Sequence, residues 1–303
     1  MIVSRLIGGL GNQMLQYALA KKLAIKNNTE VYFDLHLLLD HNSKKKNQVN
    51  RNFDLDIFNF SKRFISKEES NKYNGLTTNL VIVKILNKLK KIIFPLRIVI
   101  EKNRGFNKQI LYTKNNYCIV GSFQSPRYFD DIRDDILKDF VLKEEFLEKS
   151  KQSEKIIKDK ITVSVHFRRG DYLANSYYKN IFGELPMSYY EEAYKIFNTK
   201  FPNASYFIFS DDIKWVKNNI SIFKNATFIE NSSSKKGMAT DLFQMTICDH
   251  HIISNSTFAW WGAWLNNKDN KYVIAPKMWV SKKYLGDKSI HPKDIIPKNW
   301  KTI

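Results

Sequence analysis

The stretch ITVSVHFRRGDY, from Ile161 to Tyr172, opens on β-branched residues and closes on charge. Its apolar part has the make-up of a short strand buried on both faces, the kind found inside a parallel sheet. Where that strand stops, His166, Arg168, Arg169 and Asp171 follow within one turn of chain. Two adjacent guanidiniums repel each other, and at a strand end in an α/β sheet they face the crevice where ligands bind. A bound anion, most simply a diphosphate, offsets that repulsion. The bland alternative is that the arginines fan into solvent or pair with Asp171. The embedded Arg169-Gly170-Asp171 tripeptide has no weight of its own, because any three common residues recur by chance.

Toward the C-terminus the pattern alternates strand and helix. A helix from about Ser188 to Asn198 leads to a strand at Ser205 to Phe209, and Ser210-Asp211-Asp212 opens a short helix carrying Trp215 and Val216. Asp211 thus sits at the carboxyl end of a strand, where a carboxylate can accept two parallel N–H bonds from the edge of guanine. Equally, Ser210 and Asp211 satisfy the spacing of a helix N-cap. A strand at Thr227 to Ile229 and a helix at Met238 to Cys248 come next. The tetrapeptide Cys248-Asp249-His250-His251 invites a metal, but contiguous residues cannot all converge on one cation and no matching pair lies at zinc-site spacing. In Asn255-Ser256-Thr257-Phe258 a strand gives way to small polar residues at a helix start, where backbone N–H groups and hydroxyls can bind phosphate oxygens. The tryptophans Trp260, Trp261 and Trp264 that follow read equally well as core.

Toward the N-terminus, Ile2 to Ile7 reads as a strand, Gly8 to Gly11 as a tight turn, Asn12 to Lys26 as a helix and Glu30 to Phe33 as a second strand. The glycines let backbone approach a ligand at a helix start. A nicotinamide dinucleotide site would use Asp34 as its ribose carboxylate, yet Met14 stands where the third glycine belongs. Asp54-Leu55-Asp56 matches the Asp-x-Asp pair with which some sugar transferases hold a divalent cation, and matches a half-exposed strand better. Asn79 to Lys91 has the pattern of a basic amphipathic helix, packed on its own domain or lying on anionic lipid. Tyr117 to Gly121 is a further buried strand, followed by SFQSPRYF at Ser122 to Phe129, and Asp130 to Lys160 is charged and helical in pattern, with a domain boundary expected near residue 155.

A chain of 303 residues with 43% hydrophobic and 14% aromatic residues can build two cores. Its formal charge of +19 suits nucleotide phosphates, an anionic membrane surface or nucleic acid, and does not choose among them. The aromatics lie in apolar contexts and are not interleaved with lysines, which argues against a nucleic-acid stacking surface. Two cysteines are too few for a disulfide framework, no apolar run is long enough to span a bilayer, and the first residues already read as a strand, so a cytoplasmic location is expected.

Three motifs in order, GGLGNQMLQYALA (Gly8 to Ala20), HFRRGDY (His166 to Tyr172) and IISNSTFAWWGAWL (Ile252 to Leu265), resemble those of glycosyltransferase family 11, the α-1,2-fucosyltransferases, in their bacterial form. The resemblance runs on to DIIPKNW at Asp294 to Trp300 and is thin between residues 35 and 115, where acceptor choice is expected to lie. It implies a GT-B-like α/β architecture: two Rossmann-like domains facing a central cleft, residues 1–155 on the acceptor side and 156–303 binding the donor. It also implies GDP-β-L-fucose as donor, inversion at the anomeric carbon, no required metal, and transfer to the 2-OH of a galactoside. Carried onto this chain, Arg168 meets the β-phosphate and Arg169 supports the loop or the diphosphate. His166 and Asp211 flank guanine. Asn12, beside Gly11, approaches the diphosphate, and Ser256, Thr257 and Phe258 meet it through hydroxyls and backbone. Asp171 is the candidate general base, or else a brace for Arg168. The acceptor is then a galactose-terminated oligosaccharide or a lipid-linked glycan, handled by an enzyme peripheral to the inner membrane. The rival classes are a nucleotide-dependent oxidoreductase and a basic nucleic-acid-binding protein.

Overall fold

In the computed structural model the N-terminal apolar run forms β1 (Ile2–Arg5), buried at every residue and paired on both sides, as a central parallel strand must be. The structure describes residues 1–40, 50–74, 97–147, 160–231 and 234–303, with Asp171 described by its backbone alone. The amphipathic segment expected at Asn79 to Lys91 lies outside these residues. Two units are distinguished: Met1–Asp56 with Phe60–Ile136, and Ile57–Asn59 with Leu137–Ile303. The boundary expected near residue 155 also lies outside the described residues. The second unit takes in the chain from Leu137 onward, because Phe140 packs on Phe58 at 4.7 Å between ring centroids and on Trp261 at 5.2 Å.

The first unit carries a parallel sheet in the order β2 (Val31–Asp34), β1, β4 (Tyr117–Val120), β3 (Ile98–Ile100). The helix after β1 spans Leu10–Lys26, so it begins two residues before the expected Asn12, and Gly11 belongs to its first turn. The turn itself needs only Gly8, whose φ of +79° is in the left-handed region; Gly9 is the N-cap. Two glutamines that read from sequence as ordinary helix formers do the work of closure. Gln16 accepts from the Ile7 N–H at 3.0 Å and donates to the Ile7 carbonyl at 3.0 Å, and Gln13 donates to the carbonyls of Gly8 and Asn52 while accepting from the Asp54 N–H. Both are fully buried. Asp54 precedes a short 3-10 turn (Leu55–Ile57) and is not part of a strand, because its N–H is taken by the Gln13 side chain and not by a neighbouring strand. At the end of β2 the buried Asp34 carboxylate accepts from Arg5 Nε at 2.6 Å and Ser70 Oγ at 2.7 Å, and contacts His36 Nδ1 at 2.9 Å. Burial alone would raise its pKa; the bonds from Ser70, His36 and Arg5 outweigh that and lower it. A carboxylate so engaged is a structural anchor, which removes it as a ribose ligand.

The second unit is a six-stranded parallel sheet: β10 (Lys301–Thr302), β9 (Val273–Ala275), β8 (His250–Ile252), β5 (Thr162–Phe167), β6 (Ser205–Ser210), β7 (Ala226–Phe228). Numbered within the unit, this is the doubly wound order 3-2-1-4-5-6, all strands parallel, with the order of strand addition reversing between β5 and β8. Helices Met187–Lys200, Ile213–Asn219, Lys235–Ile247 and Thr257–Leu265 connect the strands. Val163, Val165, Tyr190, Phe197 and Ile208 centre the core. Trp260 and Trp261 are fully buried; Trp260 Nε1 donates to the Ile295 carbonyl at 2.8 Å and its ring lies 5.7 Å from Trp300, so the tryptophan motif is core that binds down the C-terminal segment. The Cys-Asp-His-His tetrapeptide is also structural. His251 contacts Ser164 Oγ at 2.7 Å and Asn266 Nδ2 at 2.9 Å, His250 stacks on Phe201 at 4.1 Å, and Asp249 accepts from Thr162 and Lys268. Burial pushes the Cys118 and Cys248 thiols up to about 12, so neither is a reactive thiolate.

Replacing Gln16 by leucine keeps the volume and leaves the Ile7 N–H and carbonyl without partners, at roughly 1–3 kcal/mol for each buried orphan. Gln16→Leu should therefore lower the urea midpoint of the first unit's unfolding, read by circular dichroism, whereas an unchanged midpoint would mean that Ile7 finds other partners.

Candidate active site

β5 and β6 are in register from Thr162 opposite Ser205 to Phe167 opposite Ser210, so the two chains leave the sheet side by side. The residues that follow, Arg168-Arg169-Gly170 and Asp211-Asp212, are thereby forced together. Asp211 takes the Arg169 backbone N–H on Oδ1 at 2.8 Å and the Arg168 guanidinium on Oδ2 at 3.0 Å. Gly170 makes this geometry possible: a Cβ there would lie 2.4 Å from Asp211 Oδ2. The helix after β6 is capped by Asp212, which accepts from the Trp215 N–H at 3.4 Å, so Asp211 is released from the capping role that its position also suggested.

The twin arginines have separate jobs. Arg169 is 8% exposed, pairs with Glu184 and with Asp212 at 3.5 Å, and lies 3.2 Å over the Trp215 ring. It braces the loop. Arg168 lies at the partly open end of β5, its guanidinium 4.8 Å over the Tyr172 ring, and Tyr172 in turn stacks on Phe182 at 4.6 Å. Tyr172 Oη donates to the Asn255 carbonyl at 3.4 Å, tying the β5 loop to the β8 loop. His166, the last-but-one residue of β5, is 4% exposed and meets Ser254 Oγ through Nδ1 at 2.8 Å; Phe258 lies 6.1 Å from its ring. Burial, and then the neighbouring Arg168 charge, push its pKa down to about 3, so it is neutral near pH 7.

Beyond β8 the polar residues divide likewise. Ser254 is spent on His166, and Asn255 donates to the Phe182 and Trp279 carbonyls. Ser256 is the N-cap of helix Thr257–Leu265 yet makes no side-chain cap bond, so the first-turn N–H groups are not closed off by its hydroxyl. Thr257 and Phe258 are half-buried in that turn. His166, Arg168, Asp211, Ser256, Thr257 and Phe258 thus gather at the carboxyl ends of β5, β6 and β8, about the reversal point of the sheet. This is where open α/β sheets bind ligands, and a guanidinium beside a helix N-terminus is chemistry for an anion. Asp171 lies in the short helix Gly170–Ala174, its side chain outside the described residues. Among the described residues no group of three or more His, Cys, Asp or Glu is placed to hold a metal ion.

In the first unit, Asn12 lies in the first turn of the helix after β1. Its Oδ1 accepts from Gln124 Nε2, beyond the end of β4, at 3.0 Å. Glu101, beyond the end of β3, accepts from the Ser122 and Phe123 N–H groups at 2.6 and 3.0 Å. Burial nonetheless raises its pKa. Sequence reasoning gave no role to Gln124, Glu101, Tyr172 or Glu184; each is defined by a partner distant in the chain. It also passed over Asp241, on the helix after β7, which accepts from Asn231 and whose carboxyl burial pushes up to about 7.

A family model described as Glycosyl transferase family 11 matches residues 1–303. The chain is 32% identical over 300 residues to the O-antigen biosynthesis glycosyltransferase WbnK of Escherichia coli, covering 92% of this chain and 94% of that one. It is 31% identical over 305 residues to an alpha-1,2-colitosyltransferase of Escherichia coli, covering 99% and 97%. To galactoside alpha-(1,2)-fucosyltransferase 1 of Bos taurus it is 26% identical over 184 residues, 57% of this chain and 51% of that one. The crystal structure of fucosyltransferase NodZ from Bradyrhizobium superposes with a TM-score of 0.50 at 13% identity, over 86% of this chain and 91% of that one, a likeness of fold alone.

Two measurements test this geometry. Gly170→Ala should drive Asp211 from Arg168 and weaken binding of inorganic diphosphate about tenfold by calorimetry, the loss of one charge-assisted bond. Because the folded His166 is harder to protonate than the unfolded one, its contribution is present above pH about 6.5 and is lost as pH falls from there toward about 3. Urea melts should show this decline, less steep in His166→Asn.

Proposed function

The chain belongs to glycosyl transferase family 11, and on that premise we propose that it is an inverting α-1,2-fucosyltransferase, moving L-fucose from GDP-β-L-fucose to the 2-OH of a β-galactoside. As a glycosyltransferase with the GT-B-like pair of α/β units it must hold a nucleotide-sugar, and the observation that carries the finer reading is Arg168, set by Asp211 at the end of β5, with the open helix start at Thr257 following the neighbouring β8. When the C1–O bond of the donor breaks, negative charge collects on the GDP leaving group and positive charge on the sugar ring. A guanidinium already fixed in place stabilises that departure without reorganising. The galactoside 2-OH attacks the face opposite GDP and gives its proton to a base, for which Asp171 is the candidate. Neutral His166 adds no second cation beside Arg168 and suits the polar edge of guanine. Asp211, already bonded to Arg168 and to the Arg169 N–H, is better suited to positioning Arg168 than to reading the base.

The alpha-1,2-colitosyltransferase relative favours a second reading, in which the donor sugar is colitose. The acceptor is proposed to be a galactose-ended glycan, free or lipid-linked, in the cytoplasm at the inner membrane. The O-antigen biosynthesis relative supports a glycan as acceptor. Among the described residues no helix is long and apolar enough to cross a membrane.

Arg168→Ala should lower transfer at least about a hundredfold with the fold retained, and a near wild-type rate would exclude Arg168 from leaving-group stabilisation. Product analysis against β-galactosides, with GDP-fucose and GDP-colitose side by side, decides the sugar and the linkage. Asp211→Asn should weaken GDP and inorganic diphosphate alike if it acts through Arg168; loss of GDP affinity alone would make it a reader of guanine. Asp171→Asn should abolish transfer while GDP affinity persists, and unchanged transfer would remove it as the base.

A further inference from the structure

We propose that the carboxyl ends of β1 and β4 form a hydroxyl-binding subsite for the acceptor sugar, with Gln124 and Ser125 as its contacts. This rests on the reading of the chain as a sugar transferase, and concerns the first unit alone. Glu101 Oε1, Gln124 Oε1 and Ser125 Oγ are buried and have no hydrogen-bond partner among the described residues. Gln124 is 6% exposed and Ser125 0%, so neither is a surface group that solvent would satisfy. A folded chain leaves such atoms orphaned at a cost, and they concentrate where a ligand completes them. Here all three belong to one short stretch of structure.

Their position is defined by the contacts around them. Gln124 Nε2 is bonded to Asn12 Oδ1, so the carbonyl oxygen of the same amide lies beside that contact, at the ends of the two central strands. Glu101 holds the turn through the Ser122 and Phe123 N–H groups, and Phe123 has φ of +48°, a left-handed backbone that a bulky side chain rarely adopts. Strain in a loop between a held carboxylate and two orphaned oxygens is what a ligand-shaped turn carries.

The polarity of the orphaned atoms selects the ligand. An amide carbonyl and a carboxylate oxygen only accept, and a serine hydroxyl can accept as well as donate. A phosphate, which brings acceptors and negative charge, is repelled by this set. A neutral polyol brings several O–H donors at close spacing and suits it. The ligand class is therefore a sugar with adjacent free hydroxyls, and for this enzyme that is the acceptor galactoside.

Ser125→Ala removes one oxygen, and Gln124→Met removes the amide oxygen together with the Nε2 bond to Asn12, each with little change of volume. With GDP-fucose as donor and lactose as acceptor, each should raise the acceptor KM about tenfold, the scale of one hydrogen bond to a bound ligand, and Ser125→Ala should leave the GDP dissociation constant unchanged. Thermal unfolding of Ser125→Ala should be unchanged or higher, since an unpaired buried hydroxyl has been removed. An unchanged acceptor KM, a lowered melting temperature with intact kinetics, or a loss of GDP affinity in Ser125→Ala would overturn the proposal. Saturation-transfer NMR with methyl β-galactoside needs no donor, so it still decides if the wild type transfers neither fucose nor colitose: signals present in the wild type and lost in both variants support the subsite, and their absence from the wild type or persistence in the variants overturns it.

Discussion

One carboxylate organises the strand ends of the second unit. Asp211 binds the backbone N–H of Arg169 with one oxygen and the guanidinium of Arg168 with the other, so it fixes both where the loop runs and where its charge points. The contact exists because β5 and β6 end level, Phe167 opposite Ser210, and because Gly170 has no Cβ to fill the space that Asp211 needs. Two cations in succession would repel. Here Arg169 is drawn aside by Glu184, Asp212 and the Trp215 ring, which leaves Arg168 as the charge presented at the strand end.

Within each unit, buried polar side chains brace the ends of strands. Gln16 closes the end of β1, Asp34 gathers Arg5, His36 and Ser70 at the end of β2, and His251 joins Ser164 to Asn266 within the second sheet. Each is satisfied by partners on other elements, so each stiffens a loop exit without presenting a group to ligand. Rigid exits matter for group transfer, since a charge that must reorganise as the leaving group departs stabilises it less.

The two sheets end in opposite chemistry. Beyond β5 and β8 lie a guanidinium and the N–H groups of a helix start, which are donors. Beyond β3 and β4 lie the oxygens of Glu101, Gln124 and Ser125. One set suits an anion and the other a neutral, hydroxyl-rich partner, the two kinds of ligand that the proposed sugar transfer calls for.

The sequence by itself determined the α/β class, the strand leading into His-Phe-Arg-Arg, the glycine turn after β1 and the hydroxyl-bearing helix start at Ser256, because burial patterns and helix-start chemistry are local and repeat at short spacing. It also placed Asp211 at a strand end. Only the tertiary structure took that aspartate out of the N-cap role, separated Arg168 from Arg169, and turned Asp34 and the Cys-Asp-His-His run from candidate ligands into braces. The reason is physical: a side chain's role is set by its partners, and those of Asp211, Asp34 and His251 lie from two to eighty-seven residues away along the chain, brought close by strand order and register that no local pattern encodes.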